Sequence, residues 1–146
     1  MNSTHNMTNI SCYRLSLLDF LRESHPERLE DKDFINARAE VATETYSKAK
    51  LSGSDDAHAN EEALSILFHD LHFSKYDTLV NILWNEFANN VPEDEAKELA
   101  NQLLFECESV FAGYALSDDF AYTPEYDLLY TELTGTVALY LESHGI

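Results

Sequence analysis

The stretch Ser74-Lys-Tyr-Asp-Thr-Leu-Val-Asn-Ile-Leu-Trp-Asn-Glu-Phe87 decides how this chain folds. Ser74 offers a hydroxyl to the orphan N–H groups at the start of a helix, and Asp77, three residues on, nearly completes a capping box. Phe73 stands just before and can staple onto Thr78 or Leu79. Tyr76, Leu79, Val80, Leu83, Trp84 and Phe87 then recur at the three- and four-residue intervals of one helical face. Each such side chain gains roughly 1.5–3 kcal/mol on burial, so the face must be covered and this helix is expected at the centre of the fold.

The same spacing continues outward in both directions. Upstream, Leu15, Leu18 and Leu21, widened by Leu17 and Phe20, predict a helix over 11–24 that Pro26 ends. Asp31 can cap a second helix running to about Lys50, with Phe34, Ile35, Val41, Ala42, Tyr46 and Ala49 as its apolar face and Gly53 as its stop. Ser54-Asp-Asp56 offers the cap of a third, which carries Ala63, Leu64, Leu67 and Phe68 to about His69. Downstream, Pro92 and the acids Glu93, Asp94 and Glu95 suit the positive end of a fifth helix, expected to run unbroken to about Phe111 on Ala96, Leu99, Leu103, Cys107 and Val110. Residues 113–122 read as the longest ordered connection. Thr123 and Pro124 then begin a sixth helix on Tyr126, Leu129, Tyr130, Leu133, Val137, Tyr140 and Leu141, ending at Gly145.

Composition agrees with this reading. Among 146 residues there are only 4 Gly and 3 Pro, and Val and Ile together number ten, so breakers and strand formers are both scarce. The fold class expected is all-α: a single compact domain of about six helices over 11–146, with short connections and a polar, poorly ordered tail over 1–10. No internal repeat or composition break argues for two domains.

The chain carries 27 acids and 9 bases, a net charge of −18. Phosphate backbones and anionic lipids are bound chiefly by Lys and Arg, so direct nucleic-acid binding and membrane attachment are not expected. The charge is uneven: residues 93–146 hold twelve acids and a single base, Lys97. Such a field speeds encounter with a basic partner. Two cysteines, Cys12 and Cys107, have no zinc or CxxC spacing, and the first ten residues lack the basic and apolar regions of a signal peptide. A cytoplasmic protein is expected.

A search for chemistry returns little. Acid pairs four apart number five (Asp19/Glu23, Glu23/Glu27, Glu27/Asp31, Glu40/Glu44, Asp94/Glu98), which is about 5 by chance from composition alone. His69 and His72 could approach a metal, but a histidine beyond a helix end more simply meets the helix dipole. Nucleophile elbows, phosphate loops and H-E-x-x-H are absent. Cys107 has acids beside it rather than the cations that activate a thiol, and reads as a small buried hydrophobe. Catalytic residues, metal ligands and cofactors are therefore expected to be none. What stands out is aromatic: Tyr122, Tyr126 and Tyr130 recur every four residues within the most acidic third, and aromatic area beside a charged rim is a composition that interfaces use.

Two stretches carry a resemblance. Leu71-His-Phe-Ser-Lys-Tyr-Asp-Thr-Leu-Val-Asn-Ile-Leu-Trp-Asn-Glu-Phe87 and Asp118-Asp-Phe-Ala-Tyr-Thr-Pro-Glu-Tyr-Asp-Leu-Leu-Tyr-Thr-Glu-Leu-Thr-Gly-Thr-Val137, with Tyr13-Arg-Leu and Asp33-Phe-Ile-Asn-Ala-Arg38 upstream, resemble a bacterial domain-of-unknown-function family. Its members are small acidic helical proteins encoded in conjugative transposons and related mobile elements of anaerobic gut and oral bacteria. The resemblance covers about residues 11 to 146. It implies an α-helical fold, cytoplasmic residence and an accessory role in a mobile element, and it transfers no activity.

Three function classes follow. The leading expectation is a non-enzymatic interaction or adaptor protein that docks a basic protein partner through Glu93, Glu95, Glu98, Asp118, Asp119 and Tyr122. The alternative is a DNA mimic that occupies the nucleic-acid site of a restriction enzyme, repressor or mobilisation protein; it needs an elongated, nearly Arg/Lys-free band of carboxylates, where an adaptor needs an apolar centre. An enzyme with an unrecognised site is the third, and a symmetric homodimer is a separate route to covering surplus aromatics.

Overall fold

The computed structural model of the chain describes the backbone of residues 2–146 and the side chains of residues 10–146. It is all-α: α1 (Asn2–Ser24), α2 (Lys32–Leu51), α3 (Asp56–Leu67), α4 (Lys75–Glu86), α5 (Ala96–Glu106), α6 (Glu108–Phe111) and α7 (Pro124–Ser143). Short 3-10 turns stand at Pro26–Arg28, Glu93–Glu95 and Phe120–Tyr122, and there is no strand among the described residues. By its internal contacts the chain divides into two compact units, Met1–His69 and Asp70–Ile146. The tail expected over 1–10 falls almost wholly on side chains outside the described residues; the backbone of α1 begins at Asn2.

The first unit packs α1 and α3 onto α2. Tyr13, Leu17 and Leu21 form the buried face of α1, and Leu15, expected on that face, is exposed. The four-residue row wins over the three-residue row because a helix turns in 3.6 residues and four neighbouring leucines with Phe20 can satisfy either. In α2 the inward residues are Ile35, Ala39, Ala42, Thr43 and Ala49, while Val41 is exposed. Ala59 and Ala63 bury the facing surface of α3, so small side chains let the two helices approach. Caps close the ends: the Asp31 carboxylate accepts the Phe34 N–H at 3.3 Å and Asp55 accepts the His58 N–H at 2.8 Å. Replacing such a cap with alanine costs about 1 kcal/mol. At the other end of α3, Arg38 reaches across from α2 and donates to the Leu67 carbonyl at 3.0 Å, placing a cation at the negative end of the dipole. Tyr13 ties α1 to α3 by donating to Asn60 Oδ1 at 2.9 Å.

In the second unit α4 is central, contacting both α5 and α7. Ser74 Oγ accepts the Asp77 N–H at 2.9 Å, the cap its sequence announced. Tyr76, Thr78, Leu79, Val80, Ile82 and Leu83 are buried, more than one stripe can supply, whereas Trp84 stays partly exposed. The fifth helix is not continuous. A 3-10 turn leads into α5, and Cys107 (φ −99°, ψ 6°) breaks it from α6, so seven helices stand among the described residues where six were expected. Neither Gly nor Pro marks this break; Phe111 N–H bonds back to the Cys107 carbonyl at 3.1 Å and both side chains lie in the core. Thr123 has the extended backbone of a cap, but its hydroxyl donates back to the Phe120 carbonyl at 2.7 Å instead of accepting from α7.

Leu129, Leu133, Val137 and Leu141 give α7 one fully buried row. Phe73, Phe120, Tyr114 and Tyr126 form an edge-on aromatic cluster over it, with the Phe73 and Phe120 ring centres 5.2 Å apart and Tyr130 tilted against Tyr126. Gly135 lies in mid-helix, where glycine costs about 0.8–1.0 kcal/mol relative to alanine. A Cβ built there would meet nothing within 4 Å, so packing inside the chain does not call for this glycine.

Candidate functional site

Pro92 fixes the backbone ahead of the Glu93–Glu95 turn, so three carboxylates gather at the N-terminal end of α5, where the helix dipole favours negative charge. Glu98 follows one turn later. Glu95 and Glu98 line a groove of about 530 Å³ whose apolar lining is Val91, Pro92, Leu99 and Ile146. Lys and Arg are missing from its described lining. Glu93 borders a neighbouring hollow with Trp84 and Val91, where the Trp84 indole N–H donates to the Glu93 carbonyl at 3.4 Å. The structure therefore gathers Glu93, Glu95 and Glu98 around Val91.

It does not bring the other three expected residues to that groove. Asp118 turns inward: its carboxylate accepts the backbone N–H of Asp70 at 2.9 Å and that of His72 at 3.0 Å, and the His72 imidazole Nδ1 lies 3.1 Å away. Asp70 adopts a left-handed backbone (φ 63°), which turns two N–H groups to one side as an anion-binding nest. The chain's own carboxylate fills it. Burial disfavours the Asp118 charge, but the His72 and Asp70 N–H donors and the His72 ring outweigh it and hold its carboxyl below the usual range. His72 thus meets Asp118 rather than the helix dipole. Asp119 begins the Phe120–Tyr122 turn and is exposed, and Tyr122 is 89% exposed, separated by its position from the packed Tyr126 and Tyr130.

Other ionisable groups are buried or paired within the chain. Cys107 is fully buried, and burial, with Glu106 nearby, pushes its thiol up to about 11, far from a nucleophile's range. Asp55 and His58 form an exposed pair 2.8 Å apart at the start of α3. The His58 N–H and ring hold the Asp55 carboxyl down, and Asp55 holds His58 up. Lys50 and Tyr46 both bond Asp56, at 2.6 and 3.0 Å.

Sequence reasoning missed two residues with long-range roles. Asp118 is expected above as a docking charge, and no role is expected of Arg38. The left-handed Asp70 needed to form the nest has no sequence mark, since glycine is the usual signal and is not there.

Fold and groove together define the class: an acidic all-α protein with a carboxylate-rimmed, partly apolar groove in its second unit. The chain belongs to the DUF1896 family, a domain of unknown function, whose model matches residues 5–146. It is similar to the crystal structure of protein PG0816 from Porphyromonas gingivalis, with 41% sequence identity and a TM-score of 0.92 over 97% of this chain and 96% of that one. No curated protein matches the chain. Among the described residues, no helix is long and apolar enough to cross a membrane.

Proposed function

We propose that the chain is a non-enzymatic interaction protein that docks a basic protein partner through its acidic second unit, as an accessory factor of a mobile genetic element. The observation that carries the docking is the charge of residues 93–146, twelve acids against Lys97 alone, combined with a groove whose Glu95 and Glu98 face Val91, Pro92 and Leu99. Carboxylates at the rim steer and select a cationic partner, and the apolar floor supplies area that leaves water. The mobile-element role rests on the family resemblance. Two unpaired cysteines, Cys12 and Cys107, support a reducing cytoplasm as its place of action.

The mimic reading is weaker here, because Asp118 is bonded within the chain and the acids are interleaved with apolar surface. The test is capture of partners from a donor-cell lysate by tagged wild type and by Glu93→Gln/Glu95→Gln/Glu98→Gln. Proteins that elute with rising salt and are lost by the triple variant, but are indifferent to added duplex DNA, support the proposal. Capture unchanged by the triple variant overturns it, and displacement by DNA favours mimicry instead.

A further inference from the structure

The mid-helix glycine of α7 has no explanation inside the chain, and its surroundings on the outer face supply one. With 3.6 residues per turn, Leu128, Gly135 and Leu139 fall within about 40° of one another and about 160° round the helix from the buried row of Leu129, Leu133, Val137 and Leu141. The two leucines are 62% and 68% exposed. They stand one either side of Gly135, whose missing side chain leaves open space between them, over a length of about 16 Å. That is two apolar side chains and a gap over about three helical turns, a surface into which a facing helix can set a side chain.

We infer that the outer face of α7, Leu128–Gly135–Leu139, seats an amphipathic basic helix of the partner protein. Charge chooses the occupant. α7 carries Glu125, Asp127, Glu132 and Glu142 and no Lys or Arg, so a helix with apolar residues on one face and cations along its edges finds both contact and countercharge. A second copy of the same face would instead bring those carboxylates against one another. This inference rests on the docking of a basic partner proposed above and adds to the Glu95–Glu98 groove a second point of contact, on α7 of the same unit.

The test uses the full chain and an 18-residue Leu/Lys peptide with its leucines on one helical face, labelled with fluorescein and followed by anisotropy at about 50 and about 300 mM salt. Gly135→Leu fills the gap, and its Cβ meets nothing in the chain, so the fold is retained; circular dichroism checks this. Leu128→Ser/Leu139→Ser removes the two apolar side chains. Weakening of about tenfold or more by each variant, with weaker binding at the higher salt, is the expected result. Binding that both variants leave intact, but Glu93→Gln/Glu95→Gln/Glu98→Gln abolishes, overturns the α7 seat and keeps the docking proposal. A wild type that binds no peptide at the lower salt overturns both. A wild-type dimer, seen by light scattering and dissociated by Leu128→Ser/Leu139→Ser, also overturns the inference by making a second copy the occupant.

Discussion

The carboxylate of Asp118 accepts the backbone N–H of His72 at 3.0 Å across 46 positions of sequence, and with its other oxygen it holds Asp70. One side chain thereby fixes the start of the second unit to the connection that precedes α7. Asp118→Ala leaves both N–H groups to partial solvation, and a loss of about 1–3 kcal/mol is expected in urea unfolding. Asp118→Asn keeps an acceptor and loses less. Asp119→Asn, at an exposed neighbour, stays within about 0.5 kcal/mol. Equal effects at 118 and 119 would contradict the nest.

The pH dependence of this contact has a fixed sign. Folding lowers the Asp118 carboxyl, so its contribution is present above the ordinary aspartate value of about 3.9 and is lost as pH falls through the folded value. The stability gap between wild type and Asp118→Asn should therefore close on acidification. A gap that widens below about pH 4 refutes the assignment.

At the start of α3 the two partners titrate in opposite senses. Asp55 is lowered and His58 raised, so their mutual support exists above the ordinary aspartate value and below about 6.5, fading as pH rises through the folded His58 value. Proton NMR of the His58 ring should give a midpoint above the ordinary histidine value, moving back in Asp55→Asn. An unmoved midpoint means the pair does not form in solution.

Ala63 is fully buried where α3 meets α2. Ala63→Leu overpacks that contact and should cost about 1–3 kcal/mol. A neutral result in thermal unfolding would show that the helices are not closely approached there.

The two thiols should separate cleanly. Cys12 is exposed and Cys107 is buried with its thiol raised to about 11. Ellman's reagent at pH 8 should titrate one thiol in the native protein and two in guanidinium. Two fast equivalents in the native state would place Cys107 outside the core.

Gly135→Ala should raise stability by about 0.5–1 kcal/mol, because the helix gains propensity and the new methyl meets no neighbour. Destabilisation would mean the glycine serves the chain's own packing.

Much of this was legible from residue spacing. The Ser74 cap with its helix and the Leu129–Leu133–Val137–Leu141 row are local patterns that a single helix dictates. Glu93, Glu95 and Glu98 could be read as one acidic turn for the same reason. Registers failed where large apolar residues were the only guide. Leu15 and Val41 are exposed while Ala39 and Ala59 fill the interior, because close helix contacts select small side chains that a hydrophobicity scan underweights.

The sequence by itself determined the helical class, the Asp31, Asp55 and Ser74 caps, the acid surplus and the family, all of which depend on composition or on neighbours within a turn or two. Tertiary structure alone decided that Asp118 bonds Asp70 and His72, and that a fifth helix breaks at Cys107. It also decided that Leu128 and Leu139 remain outside. A carboxylate's partners and a leucine's burial are fixed by residues far away in the chain, and these meet only once the helices have packed.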